Sequence, residues 1–297
     1  RAAAQQGGTR PPVVDRRVHV MAPSGDDALR RAAWAGRIPT MIMLARDELA
    51  TIEEPHPCFL SLPRQSFLPF HVKTIIEHFK DHVPPCPDEL WLEAAGAPLK
   101  WNIPIGVLFD CLRAAADEGH GPWALTAHFR SFPTSLLRGG GVVDTKAVTA
   151  HVLNTLKEAA YLQHGSAESV MSLSASDQRR LLKAVETGSY EDFMASKLPV
   201  AQTGGPAPKR LPVRVHTRAG WQQPHVSLKV DGEMPLSAVL DAVQQESASE
   251  EEPAQDREVV VQGVSVEPSL PLLAVWRGCA HPDGFLHVVL RPAKQGG

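Results

Sequence analysis

The 297 residues contain no Cys-x-x-Cys pair, no apolar run long enough to span a bilayer and no excess of positive charge. Each absence excludes a class of protein. Four cysteines, Cys58, Cys86, Cys111 and Cys279, stand far apart, which favours reduced thiols in a cytoplasmic protein over a disulfide framework or a zinc knuckle. A formal net charge of -3 with no basic stripe gives no general attraction for a polyanion, so nucleic acid is not expected as a partner. Without an apolar segment of about 20 residues, any membrane contact must be peripheral. Charges among the first residues occupy the place where a signal peptide needs its apolar core. The nucleophile elbow GxSxG, the zinc motif HExxH, a helix with paired carboxylates and the Rossmann fingerprint are all missing as well. The chain does not read as a free-standing catalyst, and no cofactor or metal is expected.

What is present falls into three parts. Residues 1–25 mix Arg, Gln, Gly and Pro without periodicity and are expected to be disordered. Met21 reads as the native start, with the preceding residues contributed by a mis-called gene model. From Asp26 the pattern predicts an N-capped helix to Ala35, then strands over Ile38 to Leu44 and Cys58 to Leu62. A helix from His71 to His82, a strand from Glu89 to Glu93, a turn at Ala95 to Pro98, a helix from Pro104 to Ala115 and a strand from Trp123 to Phe129 follow.

The last third repeats that order. Strands are expected at Leu211 to Thr217 and His225 to Val230, a helix at Pro235 to Gln245, a strand at Glu258 to Gln262, a short helix at Leu270 to Arg277 and a strand at Phe285 to Arg291. Two hairpin-led units, each with a helix laid across a mixed sheet, make a β-grasp or ubiquitin-like fold. Between them Val148, Val152, Leu156 and Ala159 recur at helical spacing. The expected class is therefore α+β, with two ubiquitin-like β-grasp domains flanking a helix-rich domain. Their expected extents are 26–135, 136–197 and 211–293, with a Pro/Gly linker at 198–210 and an acidic loop around 244–258.

Several residues could carry chemistry, and each has a plainer alternative. His78 and His82 lie one helical turn apart with Cys86 beyond, but no fourth zinc ligand is evident and Pro84, Pro85 and Pro87 break the helix. Cys111 could form a thioester, yet Leu108, Leu112 and Ala115 at helical spacing make it a small buried hydrophobe. Leu29, Ala33 and Trp34 lie on the first helix, where they either close a core or wall a groove between domains. Gly139 to Gly141 lack the spacing of a phosphate loop, although Lys146 follows at the start of a predicted helix. A cation there opposes the positive helix end by about 0.3–1 kcal/mol.

Five segments carry a family resemblance: WAGRIPT from Trp34 to Thr40, FLSLPRQSFL from Phe59 to Leu68, APLKWNIPIGVLFDCL from Ala97 to Leu112, PWALTAHFRSFP from Pro122 to Pro133 and DGFLHVVLRP from Asp283 to Pro292. They resemble the autophagy protein 5 family over nearly everything from Asp26 onward. The resemblance implies a scaffold for autophagosome assembly, without catalytic residues of its own. It implies an isopeptide bond between the C-terminal glycine of autophagy protein 12 and a lysine just after the first ubiquitin-like domain. The matching segment DTKAVTAHV places that acceptor at Lys146. It further implies that the N-terminal helix of autophagy protein 16 sits in a groove formed by the three domains, to which Leu29, Ala33 and Trp34 would contribute. The conjugate then promotes lipidation of autophagy protein 8 with its lipid-conjugating enzyme, at the preautophagosomal membrane. Two alternatives stay open at this point: a conjugating enzyme using Cys111, and an adaptor that is never conjugated.

The chemistry asked of Lys146 is specific. Only the neutral amine attacks a thioester, and an ordinary lysine, with a reference pKa near about 10.4, is almost wholly protonated at cellular pH. The helix start and desolvation by a docked enzyme both favour loss of the proton.

Overall fold

The computed structural model describes residues 25–84, 90–112, 121–136, 145–196, 198, 208–217, 220–222, 225–227, 233–246 and 257–292. The expected N-terminal extension with Met21, Cys86, the glycine run at Gly139 to Gly141, most of the linker and most of the acidic loop lie outside these residues.

Helix α1 (Gly25–Ala35) leads straight into strand β1 (Arg37–Leu44). Asp26 falls inside this helix, whose first turn also holds Asp27, and so does not precede it as a cap. In β1 buried and open residues alternate, with Ile38, Thr40, Ile42 and Leu44 facing inward, the period of a half-covered strand. It pairs antiparallel with β2 (Cys58–Pro63), Met41 opposite Phe59. Helix α2 (Val72–Phe79) crosses beneath, burying Ile75 and Phe79. It stops short of the expected His82, because the His82 amide turns back to the Phe79 carbonyl and the His82 carbonyl accepts from Ala50.

Strand β3 (Trp91–Ala94) is joined to the two-residue β4 (Ala97–Pro98) through Ala95 and Gly96, both at positive φ. Helix α3 (Ile105–Leu112) and strand β5 (Trp123–His128) complete a five-stranded sheet of order β2-β1-β5-β3-β4, with β1 and β5 parallel. That central parallel pair with antiparallel neighbours is the β-grasp arrangement expected.

The middle is helical: α4 (Lys146–His164), α5 (Glu168–Met171), α6 (Ala175–Thr187) and α7 (Tyr190–Ala195). Ser174 caps α6 by accepting from the Asp177 amide, and Ser189 caps α7 likewise from Asp192. Gly188 ends α6 at φ +76, and a Cβ there would meet Pro63 at 2.9 Å. The bundle can therefore approach the first sheet this closely only with glycine at that position.

The second sheet contains β6 (Arg210–Thr217), β7 (Gly220–Gln222), β8 (His225–Ser227), β9 (Arg257–Val261), β10 (Val264–Ser265) and β11 (Leu286–Pro292), with helices α8 (Ser237–Glu246) and α9 (Leu272–Cys279). Its path is β10-β9-β11-β6-β7, with β8 also pairing β6 and with β6 and β11 parallel. The same fold therefore occurs twice.

Each part has its own core, around Phe79 and Phe129, around Leu156 and Leu181, and around Val213 and Leu286. The parts also share surfaces. Helix α3 is apolar nearly all round and buried on two sides: Ile105 and Leu108 face the first core, whereas Val107 packs with Val260 and Val289 of the second sheet.

Candidate functional site

Two places deserve the description of a site: the start of α4 and the junction around α1. Helix α4 buries Val148, Val152, Leu156 and Ala159, which fixes it in the helical core. Lys146, the first helical residue, lies on the outside and is exposed. Thr145 precedes it without a side-chain cap, and no acid occupies the first turn. The positive helix end is thus not neutralised from within the turn.

Beside it opens a groove of about 420 Å³, lined by Pro69, Phe70, Thr145, Thr149 and Leu182, and by Lys73, Arg179, Lys183 and Glu186. Lys183 is paired with Glu186 at 3.1 Å. The groove joins the first β-grasp domain to α4 and α6, with an apolar floor and a mainly cationic rim. A macromolecule with an apolar anchor and carboxylates fits that pattern.

Helix α1 ties the other two parts together. Toward the bundle, the Tyr190 hydroxyl donates to Asp27 at 2.5 Å, Arg31 pairs with Asp27 at 2.9 Å and with Glu191 at 2.6 Å, and Trp34 packs on Phe193 with ring centroids 4.7 Å apart. Burial pushes the Tyr190 hydroxyl up to about 12, helped by Asp27. Toward the second ubiquitin-like unit, the Arg30 guanidinium donates to the Arg277 carbonyl in the last turn of α9, and Leu29 lies against Gly278. Where the three parts meet, Arg30, Trp34, Phe193, Leu198, Trp276 and His281 help enclose a cavity of about 20 Å³, room for a water but not for a helix. Any helical partner must therefore lie across the outer rim.

Behind that junction is a polar cluster with almost no solvent contact. His216 and His287 share a hydrogen bond of 2.8 Å, the second nitrogen of His287 is 3.0 Å from Asp283, and the His281 ring stacks obliquely on His287 at 4.6 Å. Burial drives His216 and His281 well below the ordinary imidazole value. For Asp283, burial pushes upward, but the His287 ring and Arg214 outweigh it and hold the carboxyl far below the usual range.

Three family models match the chain in order: "Autophagy protein ATG5, UblA domain" over residues 33–129, its "alpha-helical bundle region" over 145–198 and its "UblB domain" over 210–290. The chain belongs to the autophagy protein 5 family. Autophagy protein 5 of Neosartorya fischeri is 26% identical over 323 residues, covering 89% of this chain and 95% of that protein. That of Arabidopsis thaliana is 39% identical over 160 residues, 54% of this chain. The match spans 46% of the Arabidopsis protein, less than half of its length. A crystal structure of Kluyveromyces marxianus Atg5 superposes with a TM-score of 0.74 at 24% identity, over 89% of this chain and 99% of that one, and so shares the fold.

In this autophagy protein 5 chain the sequence-predicted residues divide. Lys146 is the exposed first residue of α4, apart from the other candidates. Leu29, Ala33 and Trp34 come together on α1, but differently: Leu29 is 55% exposed, whereas Trp34 is 4% exposed within the core of the bundle. Cys111 is mostly buried, and burial pushes its thiol up to about 12, the opposite of an activated nucleophile. His78 donates from Nε2 to the His56 carbonyl at 2.8 Å and His82 contacts Thr51, so neither turns toward a shared centre. Among the described residues no cluster of His, Cys, Asp and Glu could hold a metal, and no helix is long and apolar enough to cross a membrane. The polar cluster of His216, His281, Asp283 and His287 was not anticipated. The only signal for it is the i, i+4 spacing of Asp283 and His287 within DGFLH.

Buried histidines, inside this cluster and outside it, predict acid lability. Burial holds His71 near about 4 and holds His151, His216 and His281 below the ordinary value. Histidines in the unfolded chain take up protons near about 6.5. Below that pH the unfolded state binds more protons than the folded one, so stability falls as pH drops from about 6.5 toward 4. Asp283 adds a further loss at still lower pH, where its unfolded form protonates first. Asp110 opposes the trend, since burial raises its carboxyl despite Arg64. Four histidines against one carboxylate decide the sign. Urea midpoints should fall between pH 7 and pH 5, and a flat or rising profile would contradict the assignment.

Proposed function

We propose that this autophagy protein 5 chain is a non-catalytic scaffold whose Lys146 becomes joined to the C-terminal glycine of autophagy protein 12. The Nζ amine attacks the glycyl thioester carried by a separate conjugating enzyme. The amide bond forms as the C–S bond of the thioester breaks, and the single proton given up by the neutral amine ends on the departing cysteine, which leaves as thiol. The observation that carries this reading is Lys146 itself: an exposed lysine at the start of α4, whose first turn holds no acid, following the first ubiquitin-like unit and beside an apolar, cation-rimmed groove. That groove offers a seat to whatever brings the thioester.

The N-terminal helix of autophagy protein 16 would lie across the junction held by α1, against Leu29 and Ala33, with Trp34 supporting the wall from behind. The conjugate then promotes lipidation of autophagy protein 8 together with its lipid-conjugating enzyme, recruited from the cytoplasm to the preautophagosomal membrane as a peripheral complex. The high-lying, mostly buried Cys111 thiol argues against a thioester on this chain.

One denaturing gel tests the reading. Incubated with autophagy protein 12 and its activating and conjugating enzymes, the chain should shift to a single heavier species that resists thiol reductant. A reductant-sensitive species would point to a cysteine thioester instead, and no shift at all would leave an adaptor that is never conjugated.

A further inference from the structure

The turn between β9 and β10 consists of Gln262 and Gly263, at φ +52 and +81, with Val261 opposite Val264. Two left-handed residues in a row make the hairpin turn that normally begins with Asn, Asp or Gly. A glutamine in that conformation persists only where its surroundings over-determine it.

The surroundings do so. The Gln262 amide nitrogen donates to the Cys279 carbonyl at 2.9 Å and lies 3.2 Å from Nδ1 of His281, while its oxygen accepts from Gln65 at 2.9 Å. Gln65 is fully buried and donates at the same time to the Ala33 carbonyl at 3.3 Å. The orientation of the pair is forced. Turning either amide over would set oxygen against the Ala33 or the Cys279 carbonyl, where no proton is available. Next to it, a Cβ on Gly263 would meet the Arg64 guanidinium at 2.9 Å, and Arg64 is ion-paired with Asp110.

Ala33 lies in the last turn of α1 and Cys279 ends α9. These are the two helices that touch at Leu29 and Gly278 and frame the outer rim of the junction. One amide pair therefore holds a C-terminal carbonyl of each, and does so across the boundary between the two ubiquitin-like units.

We propose that Gln262 is a positioning residue that sets the spacing of α1 and α9, and with it the surface that takes an amphipathic partner helix. This rests on the junction being that helix's seat. Gln262 touches no partner itself; it acts through Gln65, Ala33 and Cys279.

Gln262→Gly removes the side chain and also relieves the left-handed strain, so the fold should survive it. Gln262→His keeps one acceptor and one donor in a residue that tolerates this conformation. Two readouts on the full chain separate the possibilities: amide hydrogen exchange of α1 and α9, and affinity for a synthetic peptide of the autophagy protein 16 N-terminal helix. For Gln262→Gly the expected result is exchange about tenfold faster in both helices and peptide binding about tenfold weaker, the scale of losing one or two buried hydrogen bonds. The thermal midpoint should hold, and Gln262→His should restore both values. Should Gln262→Gly fail to fold, Gln65→Met cuts the same link from the other side and must give the same pattern. Exchange and affinity both unchanged would overturn the proposal. If the wild-type chain binds no peptide, the seat reading fails, and exchange alone then decides whether Gln262 positions the helices.

Discussion

Lys146→Arg is expected to abolish the heavier covalent species completely while leaving the folded chain intact. Arginine keeps the positive charge and the length of the side chain, but its guanidinium does not lose a proton under cellular conditions and cannot attack a thioester. Stability should change little, because Lys146 is exposed and contributes nothing to the buried face of α4, which is made by Val148, Val152 and Leu156. Affinity for the partner helix should also be unchanged. The groove beside Lys146 and the cavity beneath the α1 junction have no lining residue in common. Conjugation assays with purified enzymes check the first expectation and titration calorimetry the second. A heavier species that still forms would mean a different acceptor, and a large affinity loss would mean that the two surfaces are one.

Trp34→Ala should cost about 3–5 kcal/mol of stability, the range for emptying a large aromatic site in a core. Trp34 is 4% exposed, sits 4.7 Å from the Phe193 ring and 6.1 Å from Tyr190, and belongs to the same cluster as Leu156 and Leu181. Aromatic contacts of this kind add about 0.5–1.5 kcal/mol beyond area. Since domains have only about 5–15 kcal/mol in total, the variant should unfold at a visibly lower urea concentration. Leu29→Ala, at an open position against Gly278, should cost far less and weaken the partner helix instead. If Trp34→Ala kept its stability and lost only the partner, Trp34 would be a wall of the groove rather than a core residue.

The contrast between Leu29 and Trp34 shows what the amino-acid sequence could and could not convey. Alternation in β1 was legible because one side of the strand is covered and the other is not. The doubled β-grasp order was legible for the same reason, together with turn residues between strands. Trp34 was ambiguous, since an aromatic in the last turn of a short helix fits a core or a groove equally. Only the position of α7, which brings Phe193 and Tyr190 onto it, settles its burial. Helix α3 read as one apolar stripe, whereas Val107 turns a second face to Val260 and Val289 some 150 residues and more away.

The polar cluster was hidden for a related reason. His216, His281 and His287 are on β6, the loop after α9 and β11, and no local period links them. Gln262 carried no turn signal, because glutamine is not a residue that favours positive φ by itself. Lys146 could be picked out through the family resemblance and its DTKAVTAHV segment. Composition alone made it only a cation at an unfavourable helix end, and the structure adds its exposure, the absence of first-turn acids and the adjoining groove.

The most direct measurement is peptide mapping of the purified heavier species by mass spectrometry. One branched peptide is expected, in which the C-terminal glycine of autophagy protein 12 is joined through an isopeptide bond to Lys146. A branch at another lysine, such as Lys157 or Lys183, or an unmodified Lys146 in that species, would contradict it.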